Sequence, residues 1–482
     1  MNKVAGAEKK HLFIHGKKVV AIEYATLYSP YSCEAIAQVA VADEKLVEAA
    51  IQSAQSGFQA ISQMPAYKRA SILENVVKLL GKRLDEAAEV IANEAAKPIV
   101  FARAEVSRTI ETYKFAAEEA KRIHGETIPF DASPGGTGRI GYTVRKPIGV
   151  IGAITPFNFP MNLVAHKVGP AIASGNSIVL KPATQTPLSA LYIAELFKEA
   201  GLPDGVLNVV TGTGSVAGEA LVRDERLAMI TFTGSPAVGI AIRNKAGLKR
   251  TTLELGSNAA VILDKDTNVD QVIDRHISGA FSNQGQVCIS LQRIYAHEDI
   301  YEEFAEKFAA AARELKIGDP LDPDTNISAL ISRKETRRAL EWIEEAQQNG
   351  AKLLTGGKLT ADGVLEPTVM TDVDPNMKVS CQEVFAPVVI LNKVRSVQEA
   401  ISYVNDSRFG LQAGIYTKDI DTALFASDTL EVGAVMINDI PTFRVDHMPY
   451  GGVKESGTGR EGIKYAVEEM TELKMIVWNR GE

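Results

Sequence analysis

Cysteine is scarce: Cys33, Cys288 and Cys381 are the only three in 482 residues. An odd number cannot pair fully within one chain, so a disulfide framework is excluded and a reducing, cytoplasmic setting is expected. Histidine is scarce too, with seven residues, and these form no His-x-x-x-His pair and no Cys/His cluster. A zinc site is therefore not expected. Basic charge does not prevail, since 52 Lys and Arg face 60 Asp and Glu for a net charge of −8. Phosphate neutralisation needs clustered cations, so a nucleic-acid partner is not expected either. No run reaches 18 apolar residues, which argues against a membrane-spanning helix. The opening segment MNKVAGAEKKHLFIHGKKVV has lysines but no apolar core of signal-peptide length. No fixed-period repeat and no low-complexity stretch is present.

What is there is ordinary globular material, 45 % apolar and 23 % charged. The length suggests about three domains at roughly 150 residues each. Residues 43–124 read as helical. Leu46, Ala50, Ile51, Ala54 and Phe58 form one stripe, and a second long pattern stops before Pro98. The stretch 125–138 is turn-rich, and TVRKP after it reads as extended. From 147 to 263 short apolar runs (148–154, 177–182, 206–210, 228–232, 259–263) alternate with helical segments near 160–173, 187–200, 215–223 and 235–245. Runs rich in Val and Ile separated by helices predict strands buried on both faces of a parallel, doubly wound sheet. A second α/β pattern occupies about 265–437. A Gly-rich stretch, a helix and the apolar strand LKMIVW close the chain. Such a strand needs a sheet edge to pair with, which a second subunit could provide.

Three residues could carry chemistry. Cys288 lies in GQVCIS, a loop between a helix and a strand. It is either a thiolate nucleophile or a buried, inert small side chain. Glu254 interrupts the strand-like run TTLELG. It lies either at a sheet edge or in a cleft, with a raised pKa suited to a general base. Asn158, in TPFNFP, either donates to a developing oxyanion or serves a turn or helix cap. The Gly-rich segments TGTGSVAG and FTGSPAVG follow strands and lead into helices, a placement suited to phosphate, though neither matches G-x-G-x-x-G.

The ordered motifs TPFNFP, KPATQTPLSAL, FTGSPAVG, LELGSNAAVIL, GQVCIS, QEVFAPV and MPYGGVKESGTGREG resemble those of the NAD(P)-dependent aldehyde dehydrogenase superfamily, over about residues 13–478. The resemblance implies two Rossmann-like α/β domains and a small β oligomerisation arm. Residues 1–124 and 148–253 would form the NAD(P)-binding domain and 254–445 the catalytic domain. Segments 125–147 and 446–482 would make the bridging arm of a homodimer or homotetramer. It further implies that Cys288 attacks the aldehyde, that Asn158 and the Cys288 N–H hold the oxyanion, and that Glu254 activates water. Lys181 would contact the adenine ribose, and Gly214, Phe232, Gly234 and Ser235 would lie by the dinucleotide. Glu383 would bind the nicotinamide ribose beside Phe385. Thr155, Pro156, Phe157, Leu255 and Gly256 would line the cofactor cleft.

Thr184 stands where many NAD-preferring members carry Glu. A carboxylate there repels a 2′-phosphate, whereas Lys181 and a hydroxyl tolerate one, so NADP is expected to be accepted alongside NAD or in preference to it. Two further departures are Ala386, where the family has Gly, and Phe157, where it often has Trp. The substrate pocket would involve Arg108, Asn162, His166, Ile289, Ser290, Phe443 and Arg444. The polar members Arg108, His166 and Arg444, with His447, point to a hydroxylated or anionic aldehyde such as lactaldehyde, glyceraldehyde 3-phosphate or succinate semialdehyde. They could equally form salt bridges or interface contacts. A CoA-acylating dehydrogenase, a silent binding protein on the same fold and a cofactor-free Cys hydrolase remain as rivals. Glu254 speaks against the first, the retained trio against the second and the cofactor motifs against the third.

Overall fold

The computed structural model describes residues 7–481; residues 1–6 and 482, at the outer ends of the expected domain and arm segments, lie outside it. The predicted helical stretch forms four helices, Glu44–Ser62, Ala66–Lys82, Leu84–Ala95 and Ile99–Ala120. Asp43 caps the first by accepting from the Leu46 N–H at 2.9 Å. That helix buries Val47, Ala50, Ile51, Ala54 and Ile61, while Leu46 and Phe58 lie half-buried at the rim of the stripe.

The first sheet has eight strands. Five run parallel in the order Arg250–Glu254, Leu227–Thr233, Val150–Ile154, Ser177–Lys181, Leu207–Val209. The direction of winding reverses at Val150–Ile154, so a crevice opens at the carboxyl ends of the strands. Leu12–Ile14 and Lys17–Val19 extend one edge, and Gly457–Thr458 closes the other. The sequence pattern groups the run 259–263 with these strands, but Ala260–Leu263 belongs to the second sheet, and Arg250–Glu254 is the fifth parallel strand. The chain crosses between sheets at 255–259 without a helix, so periodicity alone carried no mark of the crossing.

The second sheet has seven strands, in the order Lys352–Thr355, Thr368–Thr371, Val388–Val394, Arg293–His297, Ala260–Leu263, Gln412–Tyr416, Ala434–Ile437. All neighbours are parallel except the first pair. A third sheet sets Thr471–Asn479 at its edge against Arg139–Pro147, with Thr127–Ile128 beyond. A fourth, near the N-terminus, pairs Lys9–Lys10, Ala35–Val41 and Glu23–Tyr28. No helix among the described residues is long and apolar enough to cross a membrane.

Candidate active site

Thr155 to Asn158 follow Val150–Ile154, and Lys181 ends Ser177–Lys181. Gly234 and Ser235 follow Leu227–Thr233, and Glu254 ends Arg250–Glu254. All of these lie at the carboxyl edge of the first sheet, where a doubly wound sheet receives ligands. Cys288 comes from the other half of the chain. It follows the helix Val269–Phe281 and a tight turn in which Asn283, Gln284 and Gly285 have φ of 51°, 56° and 70°. A Cβ on Gly285 would stand 2.2 Å from the Ala386 carbonyl oxygen, so only glycine lets the two segments approach this closely.

A cavity of about 420 Å³ opens where the halves meet, lined by Cys288, Glu254 and Asn158 together with Arg108, Asn162, Ile289 and Arg444. Asn158 is neither a turn residue at the surface nor the cap of the helix Asn162–Ser174, which starts after Met161. Its Nδ2 donates to the Gln286 carbonyl at 2.9 Å, which spends one amide hydrogen and leaves the other. Its own carbonyl accepts from Lys97 Nζ at 2.6 Å and from Asn283 Nδ2 at 3.1 Å. The oxyanion candidate is thereby fastened to the cysteine turn. Lys97 is in turn paired with Glu105 in the interior. Glu105 also accepts from the Met161 and Asn162 N–H groups at 2.9 and 3.1 Å.

Glu254 is not at an edge. Its strand is paired on both sides, with Thr233 and Gly457 as its register partners. Among the described residues neither carboxyl oxygen has a hydrogen-bond partner, although both are buried. A Cβ on Gly451 would lie 3.0 Å from Glu254 Oε1, so that glycine leaves the room the carboxyl occupies. Burial first, then the Glu461 carboxylate, pushes the Glu254 pKa well above the usual range. Burial and then the Glu383 carboxylate push the Cys288 thiol up as well. The resting pair is therefore a neutral thiol beside an acid of high proton affinity, and a base must take the thiol proton before sulfur can attack.

The polar pocket candidates divide. Arg108 lines the cavity and binds Asp446 through Nη2–Oδ1 at 2.7 Å and Nε–Oδ2 at 3.2 Å. Arg444 lines it too. It binds Glu461 at 3.0 Å, lies with Cζ 3.6 Å from the Tyr450 ring centre, and keeps a buried Nε with no partner among the described residues. Asn162 donates to Asp446 Oδ1 at 3.1 Å. Four others are corrected. His166 lies behind the wall, 1 % exposed, with Nε2 on Asp446 Oδ1 at 2.9 Å. Ser290 turns away and donates to the Ala280 carbonyl at 3.2 Å. Phe443 is exposed and His447 packs on Phe115, ring centres 4.6 Å apart, neither of them in the cavity wall. Both suggested readings of the arginines hold in part: they are ion-paired, and they also face the cavity.

The cofactor candidates gather along the same edge. Lys181 Nζ is nearly buried, donates only to the Pro182 carbonyl at 2.9 Å, and is pushed down to about 8 by burial. A buried ammonium without a carboxylate is a fit for ribose hydroxyls or a phosphate. Thr184 Oγ1 donates to Gly212 O at 3.1 Å, which ties it to the Gly-rich segment whose irregular turn begins at Gly214. The Ser235 side chain makes no capping bond at the start of the helix Pro236–Lys245, so the first helical amides stay open to an anion. A Cβ on Gly234 would lie 2.5 Å from the Phe232 ring, and the Thr155 hydroxyl has no partner. Glu383, pushed up to about 7 by burial, accepts from the Ser257 N–H at 3.0 Å. Gly256 lets it in, since a Cβ there would stand 2.8 Å from Glu383 Oε2. Phe157 and Phe385 meet edge to face at 5.7 Å, and Leu255 packs against the position of Gly239. A glycine cradle, free helix amides, a lone ammonium and a carboxylate fit a nicotinamide dinucleotide.

Sequence reasoning passed over Lys97, Glu105, Lys167, Asp446, Tyr450 and Glu461. One signal was present: the helix Asn162–Ser174 is buried along its whole length, so the lysine in LVAHKVGPA had to have partners. Lys167 meets Glu461 Oε1 at 3.0 Å and the hydroxyls of Thr231 and Thr233 at 3.1 and 2.9 Å.

Comparison with known proteins gives one consistent result. The family model described as "Aldehyde dehydrogenase family" matches residues 20–476. A 3-sulfolactaldehyde dehydrogenase of Priestia aryabhattai is 45 % identical over 480 residues, covering 99 % of this chain and 100 % of that protein. The crystal structure of aldehyde dehydrogenase 21 from Physcomitrella patens, in complex with the reaction product succinate, superposes with a TM-score of 0.96 at 41 % identity, covering 98 % of this chain and 99 % of that one. The NADP complex of glyceraldehyde-3-phosphate dehydrogenase from Methanocaldococcus jannaschii gives a TM-score of 0.91 at 40 % identity, covering 95 % and 99 %.

Proposed function

Because this chain belongs to the aldehyde dehydrogenase family and oxidises an aldehyde with NAD or NADP, we propose that its substrate is a small anionic aldehyde and that its product is the free carboxylic acid. The observation that carries this reading is one cavity lined by a cysteine, an unpartnered glutamate, an oxyanion amide and two arginines. Cys288 Sγ, once a water molecule has taken its proton, bonds to the aldehyde carbon, and the carbonyl electron pair moves onto oxygen. Asn158 Nδ2 and the Cys288 N–H donate to that oxygen as its charge develops. Bound NAD or NADP supplies the hydride acceptor, and the adduct on Cys288 is left as a thioester. Glu254 takes a proton from water, the water oxygen bonds to the acyl carbon, and the Cys288 thiolate departs. A buried, unpaired carboxyl beside the nucleophile supports water rather than CoA as the acceptor.

Arg108 and the free Nε of Arg444 support an anionic or hydroxylated tail on the aldehyde. The names of the relatives agree with that class: one acts on 3-sulfolactaldehyde and another was captured with succinate. The test is absorbance at 340 nm with succinate semialdehyde, 3-sulfolactaldehyde, lactaldehyde, propanal and hexanal. The expected result is a kcat/KM for the anionic aldehydes at least about tenfold above propanal, removed in Arg444→Leu. Highest activity with hexanal would overturn the reading.

Thr184 supports use of NADP. Replacing it with glutamate puts a carboxylate beside the 2′-phosphate position, and NADP selectivity over NAD should fall by roughly tenfold or more, read as the ratio of kcat/KM values. An unchanged ratio would remove Thr184 from the cofactor site. The three free cysteines support a reducing, cytoplasmic setting. The edge strand Thr471–Asn479, with Leu473, Met475, Val477 and Trp478 exposed, supports assembly of two or four copies through that arm.

A further inference from the structure

Most cations around the cavity have a carboxylate of their own. Lys97 is paired with Glu105, and Arg275 with Asp439. Lys167 and Arg444 share Glu461, each at 3.0 Å. The remaining cation, Arg108, is held by Asp446 through both carboxylate oxygens. Asp446 Oδ1 also receives Asn162 Nδ2 and His166 Nε2, so the carboxylate is fixed from three directions. Burial raises its pKa, but the His166 hydrogen bond and the Arg108 guanidinium outweigh burial and hold it ionised. Burial and then the Arg444 charge lower the His166 pKa, and burial raises that of Glu254, so both lean toward their neutral forms. In these ion pairs five cations meet four carboxylates, and Arg444, which shares Glu461 with Lys167 and keeps Nε without a partner among the described residues, is the cation left for the substrate to meet.

We propose that Asp446 is a specificity-determining residue that restricts the cavity to aldehydes bearing a single negative charge, a carboxylate or a sulfonate, and disfavours a phosphate dianion. The proposal deepens the anionic-aldehyde reading above and rests on it. Asp446 acts through Arg108: it aims the guanidinium across the cavity and cancels its charge, so Arg444 is the cation in excess. A monoanion brings the cavity to neutrality. A dianion leaves one buried negative charge without a partner.

The test compares two inhibitors of nearly the same shape at pH 8, ethyl sulfate with one negative charge and ethyl phosphate with about two. Each is measured in competition with succinate semialdehyde. In the unaltered protein ethyl sulfate should bind at least about tenfold tighter. In Asp446→Asn, which keeps an oxygen acceptor for Arg108 but drops the charge, the sulfate-to-phosphate ratio of inhibition constants should shift roughly tenfold toward phosphate. A purely structural role would weaken both inhibitors alike and leave the ratio in place. Equal binding of the two anions to the unaltered protein overturns the proposal, whether or not the variant folds. An unchanged ratio in a folded variant does so too. If neither anion competes while propanal is the better substrate, it is the anionic-aldehyde reading that fails.

Discussion

Cys288→Ala will abolish aldehyde oxidation, with kcat reduced by roughly 10⁴-fold or more, and will show no initial burst of reduced cofactor. The expectation follows from position and chemistry together. Cys288 is the only cysteine on the cavity wall, and neither of the other two, Cys33 and Cys381, lies there. Without sulfur no covalent adduct forms, so there is no thioester for water to attack. Cofactor binding, followed by fluorescence titration, should be retained, because Lys181 and Thr184 lie at the end of a different strand and Glu383 keeps its bond to the Ser257 N–H. A variant that still shows a stoichiometric burst would remove Cys288 from the mechanism. Burial of the thiol has a further consequence. Its raised pKa makes the burst rate climb with pH as the proton becomes easier to remove.

Glu254→Gln should separate the two halves of the reaction. A burst of reduced cofactor should survive, and the steady-state rate after it should fall by about 10²- to 10³-fold, close to 3–4 kcal/mol at 1.36 kcal/mol per tenfold. Glutamine fills the same space and cannot accept the proton from water. The pH dependence has a definite sign. A base works when deprotonated, and burial with Glu461 raises the Glu254 pKa. The steady-state rate should therefore be lost as pH falls, at a pH well above the ordinary glutamate value of about 4.3. The variant should lose that acid limb while the limb in the burst rate, which reports the thiol, remains. Rapid-mixing absorbance across a pH series measures both. Full turnover in Glu254→Gln would assign the base elsewhere.

These two residues also illustrate how far local sequence reaches. Glu254 in a strand-like run leaves both an edge and a cleft open, with the edge the commoner case. Pairing with Gly457, about 200 residues later in the chain, removed the edge. Cys288 in a loop left a nucleophile and an inert thiol open, until the left-handed turn at Asn283–Gly285 set it against Asn158 from the other half of the chain. The alternation of apolar runs and helices was legible because each buried strand and each amphipathic helix repeats its own short period. The crossing from Glu254 to Ala260 was not, since two buried strands read alike whichever sheet they join.

The amino-acid sequence by itself determined the parallel α/β architecture, the aldehyde dehydrogenase motifs and the residue types able to do the chemistry, because periodicity and motif order are local properties. The tertiary structure alone decided which charges meet. Arg108 finds Asp446 across 338 residues, Lys167 finds Glu461 across 294, and His166 is drawn behind the wall that Arg444 lines. Burial makes those pairings obligatory, since an interior ion without its partner is too costly to keep. The same interior leaves Glu254 unpaired and its proton affinity high, which no pattern of neighbours along the chain could have shown.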